Sequence, residues 1–155
     1  MASSPSSLTR ASRVLAPGGW LAAADTIALD YDGRRQRRRV LTAAGGLAFL
    51  LDLPRSTLLR DGDGLVLEDG RVVVVRAAAE ALTEARAPSP EALTRAAWHL
   101  GNRHLPVEVR ADALRLRPDP VIEDLLARLG LALRPIMAAF EPEGGAYQGA
   151  QAHDA

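Results

Sequence analysis

The sequence predicts an α+β protein in parts: a small N-terminal β domain over residues 1–77, a ferredoxin-like βαββαβ unit over residues 78–142, and a flexible tail over residues 143–155. Two observations carry this reading. Up to about Arg76, short alternating apolar runs are punctuated by glycine-containing turns, as in strands joined tightly. After Ala77 the apolar spacing becomes helical in two places, with strand-like runs between them.

In the first part, "DTIALDY" alternates Ile27, Leu29 and Tyr31 on one face, and Asp32-Gly33 then turns the chain. "RRRVLTA" and "LAFLLDL" flank Gly45-Gly46, a hairpin turn that suits glycine because glycine accepts positive φ without steric cost. "DGDG" (Asp61 to Gly64) and "EDG" (Glu68 to Gly70) make further turns before the β-branched run Val72 to Val75. In the second part a strand falls within Glu80 to Arg86. Pro88-Ser89-Pro90 then places a capping serine before a proline at the first helical position, followed by Leu93, Ala97 and Leu100 at helical spacing. That helix stops near Gly101. "VEVRADALRLR" reads as two strands around Ala111-Asp112, Asp119-Pro120 opens a second helix that Gly130 ends, and "LALRPIMAAF" is the final strand.

Composition narrows the chemistry. Among 155 residues, 19 acidic side chains balance 19 basic ones, all arginine, so no overall field draws the protein to nucleic acid or to an anionic membrane. The absence of cysteine excludes disulfides, thiolate catalysis and thiolate metal sites, so a bound metal would be held by nitrogen and oxygen. No apolar run approaches the length of a membrane helix or a signal peptide, and the chain reads as soluble and cytoplasmic. No nucleophile stands with a base, and there is no phosphate loop and no paired acids in a plausible cleft, so the protein reads as a non-enzyme.

Two of the chain's histidines, His99 and His104, lie in "AWHLGNRHLP" (Ala97 to Pro106). On a continuous helix His104 would extend the stripe of Leu93, Ala97 and Leu100, but five residues turn the direction by about 140°, so His99 and His104 could not share one ion on a regular helix. Either they serve different purposes or the helix unwinds at Gly101. Taken alone, a histidine at a helix end more often caps or packs than ligates.

The string "HLGNRHLP" resembles the metal-binding motif of the urease nickel chaperone family, the UreE-type accessory proteins. "DYDGRRQRRRVLT", "GLAFLLDLP", "LLRDGDGLVLEDGRVVVVRA" and "FEPEGGAY" resemble other family segments in the same order, from about Asp30 to Tyr147. The resemblance implies a peptide-binding-like N-terminal β domain and a ferredoxin-like nickel-binding domain. It implies a homodimer in which His104, the last residue of Gly-Asn-Arg-His, binds Ni2+ at the two-fold axis. Imidazole suits Ni2+, and also Zn2+ and Cu2+, which would compete. His99 and the tail's His153 are further candidate ligands. The implied function is delivery of Ni2+ for assembly of the urease active site, with the urease accessory GTPase and the apo-urease accessory complex as partners, and with neither nucleic acid nor membrane. Some family members carry histidines beside an aspartate just before the second helix. Here that stretch reads "RPDPVIEDLL", so Asp119 stands between Pro118 and Pro120 and the auxiliary site is expected to be missing.

"RRQRRR" (Arg34 to Arg39) supports the alternative, an arginine-rich RNA-binding or ribosome-associated module. It lacks interleaved aromatics and lies between strand patterns, so it is expected to be a solvated edge strand kept from aggregating by its charges.

Overall fold

The computed structural model describes residues 8–144, which divide into two compact units between Ala78 and Ala79. The first contains β1 (Arg10–Leu15), β2 (Asp25–Leu29), a single helical turn α1 (Tyr31–Arg34), β3 (Arg35–Thr42), β4 (Ala48–Leu58), β5 (Gly64–Leu67) and β6 (Val72–Ala77). They form a six-stranded sheet in the order β2-β6-β5-β1-β4-β3. The pairs β1–β4 and β2–β6 are parallel, and the others antiparallel. Period-two alternation sends Phe49, Leu51 and Leu53 of β4 into a core shared with Ile27, Leu41, Leu65, Val73 and Val75. The β3–β4 hairpin turns at Gly45-Gly46 as the sequence predicts, with Gly46 at φ +98° and the Ala43 N–H bonded to Leu47 O. Just before that turn the two sheet edges meet at one point, where the Ala44 N–H donates to Thr26 O at 2.8 Å.

Three details depart from the sequence reading. The strand β1, at the centre of the sheet, falls in a stretch that carries no strand pattern, because only Ala11 of it is fully buried. The run through Tyr31 is not one strand: Asp30 caps α1 by accepting from the Gly33 N–H at 2.8 Å, and this turn swings Tyr31 and Arg34 inward. The arginine run is therefore not wholly solvated, since Arg34 is 0% exposed. Its guanidinium donates to Leu29 O and Leu59 O, both at 3.2 Å, joining the ends of β2 and β4, and Leu29 O also accepts from the Ala78 N–H. Arg35, Arg37, Arg38 and Arg39 are exposed on β3, which is an edge strand as expected.

The second unit contains β7 (Ala79–Arg86), α2 (Pro90–Gly101), β8 (Glu108–Val109), β9 (Ala113–Leu116), α3 (Pro120–Arg128) and β10 (Ala132–Ala139). The element order is strand, helix, strand, strand, helix, strand, and the sheet order is β10-β7-β9-β8 with every pair antiparallel. Ala96 and Leu100 of α2 and Ile122 and Leu126 of α3 pack on Ala85, Leu114, Leu116 and Leu131, so both helices cover one face of the sheet. The opposite face carries a row of charges in register: Arg134 is opposite Glu84, Glu84 opposite Arg115, and Arg115 opposite Glu108. Glu84 takes Arg134 at 2.7 Å and Arg115 at 3.0 Å, and Glu108 takes Arg110 at 3.2 Å and Arg115 at 3.5 Å. Burial raises the Glu84 carboxyl pKa, but hydrogen bonds and charge from Arg134 and Arg115 outweigh it, and the net shift is downward. Its cover is those arginines, themselves part exposed, so the carboxylate lies just beneath the surface.

After β10, Phe140 and Pro142 are buried, the Glu141 N–H donates to Glu108 Oε1 at 2.8 Å, and the Glu143 N–H donates to Val107 O at 2.8 Å. The chain thus passes from one edge of the sheet, β10, to the other, β8. Among the described residues no helix is long and apolar enough to cross a membrane.

Candidate metal centre

The two histidines of the Gly-Asn-Arg-His stretch are placed by the way α2 begins and ends. Ser89 Oγ accepts from the Ala92 N–H at 3.1 Å and Pro90 occupies the first turn, the start its sequence predicts. With the register fixed, Ala96 and Leu100 face the sheet, His99 is half-buried, and Trp98 is 66% exposed. The Trp98 and His99 rings meet edge to face with centroids 5.1 Å apart.

The helix ends at Gly101, as predicted, with Asn102 as its cap. Beyond it the backbone tightens: the Asn102 N–H bonds to Trp98 O, the Arg103 N–H to Leu100 O at 3.1 Å, and the His104 N–H to Gly101 O at 3.1 Å. The chain then reverses at His104 itself, whose φ is +57° and which is the only non-glycine residue with positive φ among those described. Helix ends commonly place glycine in this left-handed conformation, because a Cβ there crowds the following carbonyl and costs roughly 1–2 kcal/mol. Gly101 does not take that role. The sequence signalled where the helix stops but not that the histidine would bear the strained turn. His104 is exposed, and among the described residues its imidazole has no hydrogen-bond or ion-pair partner.

His104 therefore does not continue the apolar stripe of α2, and the two histidines do not share a helix face. Beyond His104, Leu105 and Pro106 face Arg117, Pro118, Asp119 and Ile122 across an open cleft of about 270 Å³. Asp119 is already engaged: its Oδ1 accepts from the Val121 N–H at 3.0 Å and the Ile122 N–H at 3.3 Å, capping α3. Among the described residues no three His, Asp or Glu side chains gather closely enough to hold an ion. His153 lies outside the described residues.

Comparison with known proteins bears on this arrangement. The family profile described as UreE urease accessory protein, N-terminal domain, matches residues 8–78, and that of the C-terminal domain of the same family matches residues 80–155. A protein named urease accessory protein UreE from a Bradyrhizobium strain is 54% identical over 151 residues, which are 95% of this chain and 73% of that protein. Its namesake from a second Bradyrhizobium strain is 55% identical over 90% of this chain and 67% of its own length. One from a Rhodopseudomonas palustris strain is 52% identical over 95% of this chain and 68% of its own length. With both family profiles matched in order and this level of identity along nearly all of its length, the chain belongs to the UreE urease accessory protein family.

Proposed function

We propose that the protein is a cytoplasmic nickel metallochaperone: a homodimer that carries Ni2+ to the urease accessory GTPase and the apo-urease complex, and catalyses no reaction of its own. The observation that carries the reading is His104, an exposed imidazole without a partner among the described residues, held at a helix end in a backbone conformation normally left to glycine. Strain of this kind is retained where the geometry serves a purpose. One chain offers too few donors among its described residues, so the reading requires a second copy. Across a two-fold axis each His104 meets its counterpart, and one residue per chain supplies two ligands. A site with so few ligands stays open to exchange, which suits a carrier. His99, turned against Trp98, is at most an auxiliary donor. Asp119 caps α3 through Oδ1 and stands between Pro118 and Pro120 with no histidine beside it, which supports the expectation that the auxiliary site is missing. The Glu143–Val107 bond returns the chain beside the segment that carries His104, and supports His153 as a supplementary ligand. The sheet order of the second unit supports its assignment as a ferredoxin-like domain, which on this reading is the one that binds nickel. We assign its limits as residues 78–142, between a peptide-binding-like domain and a tail.

Titration of the full chain with nickel tests this. One tight ion per two chains is expected, lost in His104→Ala with the dimer retained, and only weakened in His99→Ala. Unchanged tight binding by His104→Ala, or equal loss in the two variants, would refute the assignment.

A further inference from the structure

β3 is an edge strand whose inner side pairs with β4, Arg35 opposite Leu58 and Gln36 opposite Thr57, and then, after a register shift at Arg37, from Arg38 opposite Asp52 to Thr42 opposite Ala48. Among the described residues no strand pairs with its outer side. In a strand, alternate N–H and C=O groups point away from the existing partner, so the open side of β3 is a template for one more strand. Near Ala44 the opposite edge of the sheet closes this side off, through the bond to Thr26. The stretch left open, Gln36 to Val40, spans roughly 17 Å.

Arg37, Arg38 and Arg39 stand along this opening, all exposed, and among the described residues none of them has an ion pair or side-chain hydrogen bond. The carboxylate facing Arg38 across the ladder, Asp52, is taken by Arg10 at 3.3 Å, while Arg35 is occupied with Tyr31 Oη at 3.2 Å. Consecutive like charges repel one another, and deterring edge-to-edge aggregation takes fewer of them. We infer that the open edge of β3 is a docking site for an extended acidic segment of a protein partner, which joins the sheet as an added strand. Its carboxylates meet Arg38 and Arg39 on opposite faces of the sheet and Arg37 at the register shift, while its backbone pairs with the free groups of β3. The same arginines exclude a second copy of β3, whose charges they would face, so attraction and repulsion both act in selecting the partner. A single-stranded nucleic acid fits less well. It has no use for a free backbone ladder and calls for exposed aromatic rings, whereas in this unit Tyr31 and Phe49 are buried and Trp20 is half-buried. Nickel binding at His104 plays no part here, so the two readings fail separately.

The test uses the full chain and a short fluorescein-labelled peptide of repeated Glu-Glu-Val-Val, which puts carboxylates on both faces of an added strand, followed by fluorescence anisotropy. A matched Lys–Val peptide and a single-stranded RNA oligonucleotide are run alongside. The Glu–Val peptide is expected to bind and to weaken as salt is raised, while the Lys–Val peptide does not bind. Replacing Arg37, Arg38 and Arg39 together by Glu should weaken binding about tenfold or more, and replacing them by Lys should change it less than about threefold. If circular dichroism shows that the Glu variant does not fold, the triple Gln variant should show the same loss at smaller amplitude. Backbone amide shifts on peptide addition should concentrate in Gln36 to Val40. No binding of the Glu–Val peptide, equal binding by the charge-reversed or neutral variant, amide shifts centred elsewhere, or tighter binding of the RNA would each overturn the proposal.

Discussion

Replacing His104 by glycine should make the protein more stable and unable to hold nickel tightly. The first effect follows from the backbone. At φ +57° a residue with a Cβ pays roughly 1–2 kcal/mol, which glycine does not. Glycine in turn has more freedom to lose on folding, at about 0.4–1 kcal/mol. No side-chain bond is forfeited, since the exposed imidazole has none among the described residues. The balance is a gain of about 0.5–1 kcal/mol, which for a unit of this size raises the melting temperature by a few degrees. His104→Ala keeps the Cβ and should leave stability within about 0.5 kcal/mol of the parent. Urea denaturation of the metal-free parent, Gly and Ala variants, beside a nickel titration of each, separates the two effects. A Gly variant less stable than the parent would show that His104 does not occupy the left-handed conformation. A Gly variant that gained stability and kept tight nickel would show that the strained residue is not the ligand.

Two further outcomes rest on packing. Glu84→Gln should destabilise the second unit by roughly 2 kcal/mol near neutral pH, because arginines gathered around a carboxylate are left facing a neutral amide. Since folding lowers the Glu84 pKa, this contribution is present above the ordinary glutamate value near 4.5 and disappears as pH falls through the folded value. Urea midpoints of parent and variant should therefore converge in acid, and a gap independent of pH would refute the ionic account. Gly64→Ala would set a Cβ 2.6 Å from Trp20 Cζ3 and 2.9 Å from Val72 Cγ1, costing about 1–3 kcal/mol in the first unit, and an unchanged urea midpoint would contradict that packing.

The elements that could be read from the sequence are those whose signals are local. Ser89-Pro90 and Asp119-Pro120 announce helix starts because a side-chain oxygen and a missing N–H act within one turn, and both caps form as written. Gly45-Gly46 announces a hairpin for a similarly local reason. What was hidden depends on distant neighbours. β1 is central because Ala11 fits between β4 and β5, and an alanine carries almost no pattern of its own. Within six residues rich in arginine, nothing in composition marks Arg34 as the one turned inward; that depends on the carbonyls of Leu29 and Leu59, the second 25 positions away. The Gly-Asn-Arg-His string gave the residue to examine. The left-handed turn at its histidine has no such mark in the string, because the residue that favours it, glycine, stands three positions earlier.

The row of alternating charges across the second sheet also governs when that sheet can exist. Its members come from four strands, with Glu84 waiting for an arginine 50 positions further along the chain. As the polypeptide is synthesised, β7 emerges with its carboxylate, then β8 and β9 bring Glu108 and Arg115, and Arg134 arrives last, on the strand that also completes the edge beside β7. Until then Glu84 would have to leave water with only part of its compensation, so the intermediate sheet gains little from forming early. The unit is thus biased toward assembling in one cooperative step once Arg134 has emerged. His104 lies on the connection between α2 and β8 of this same unit, so the surroundings of that loop too are complete only when the last strand has joined.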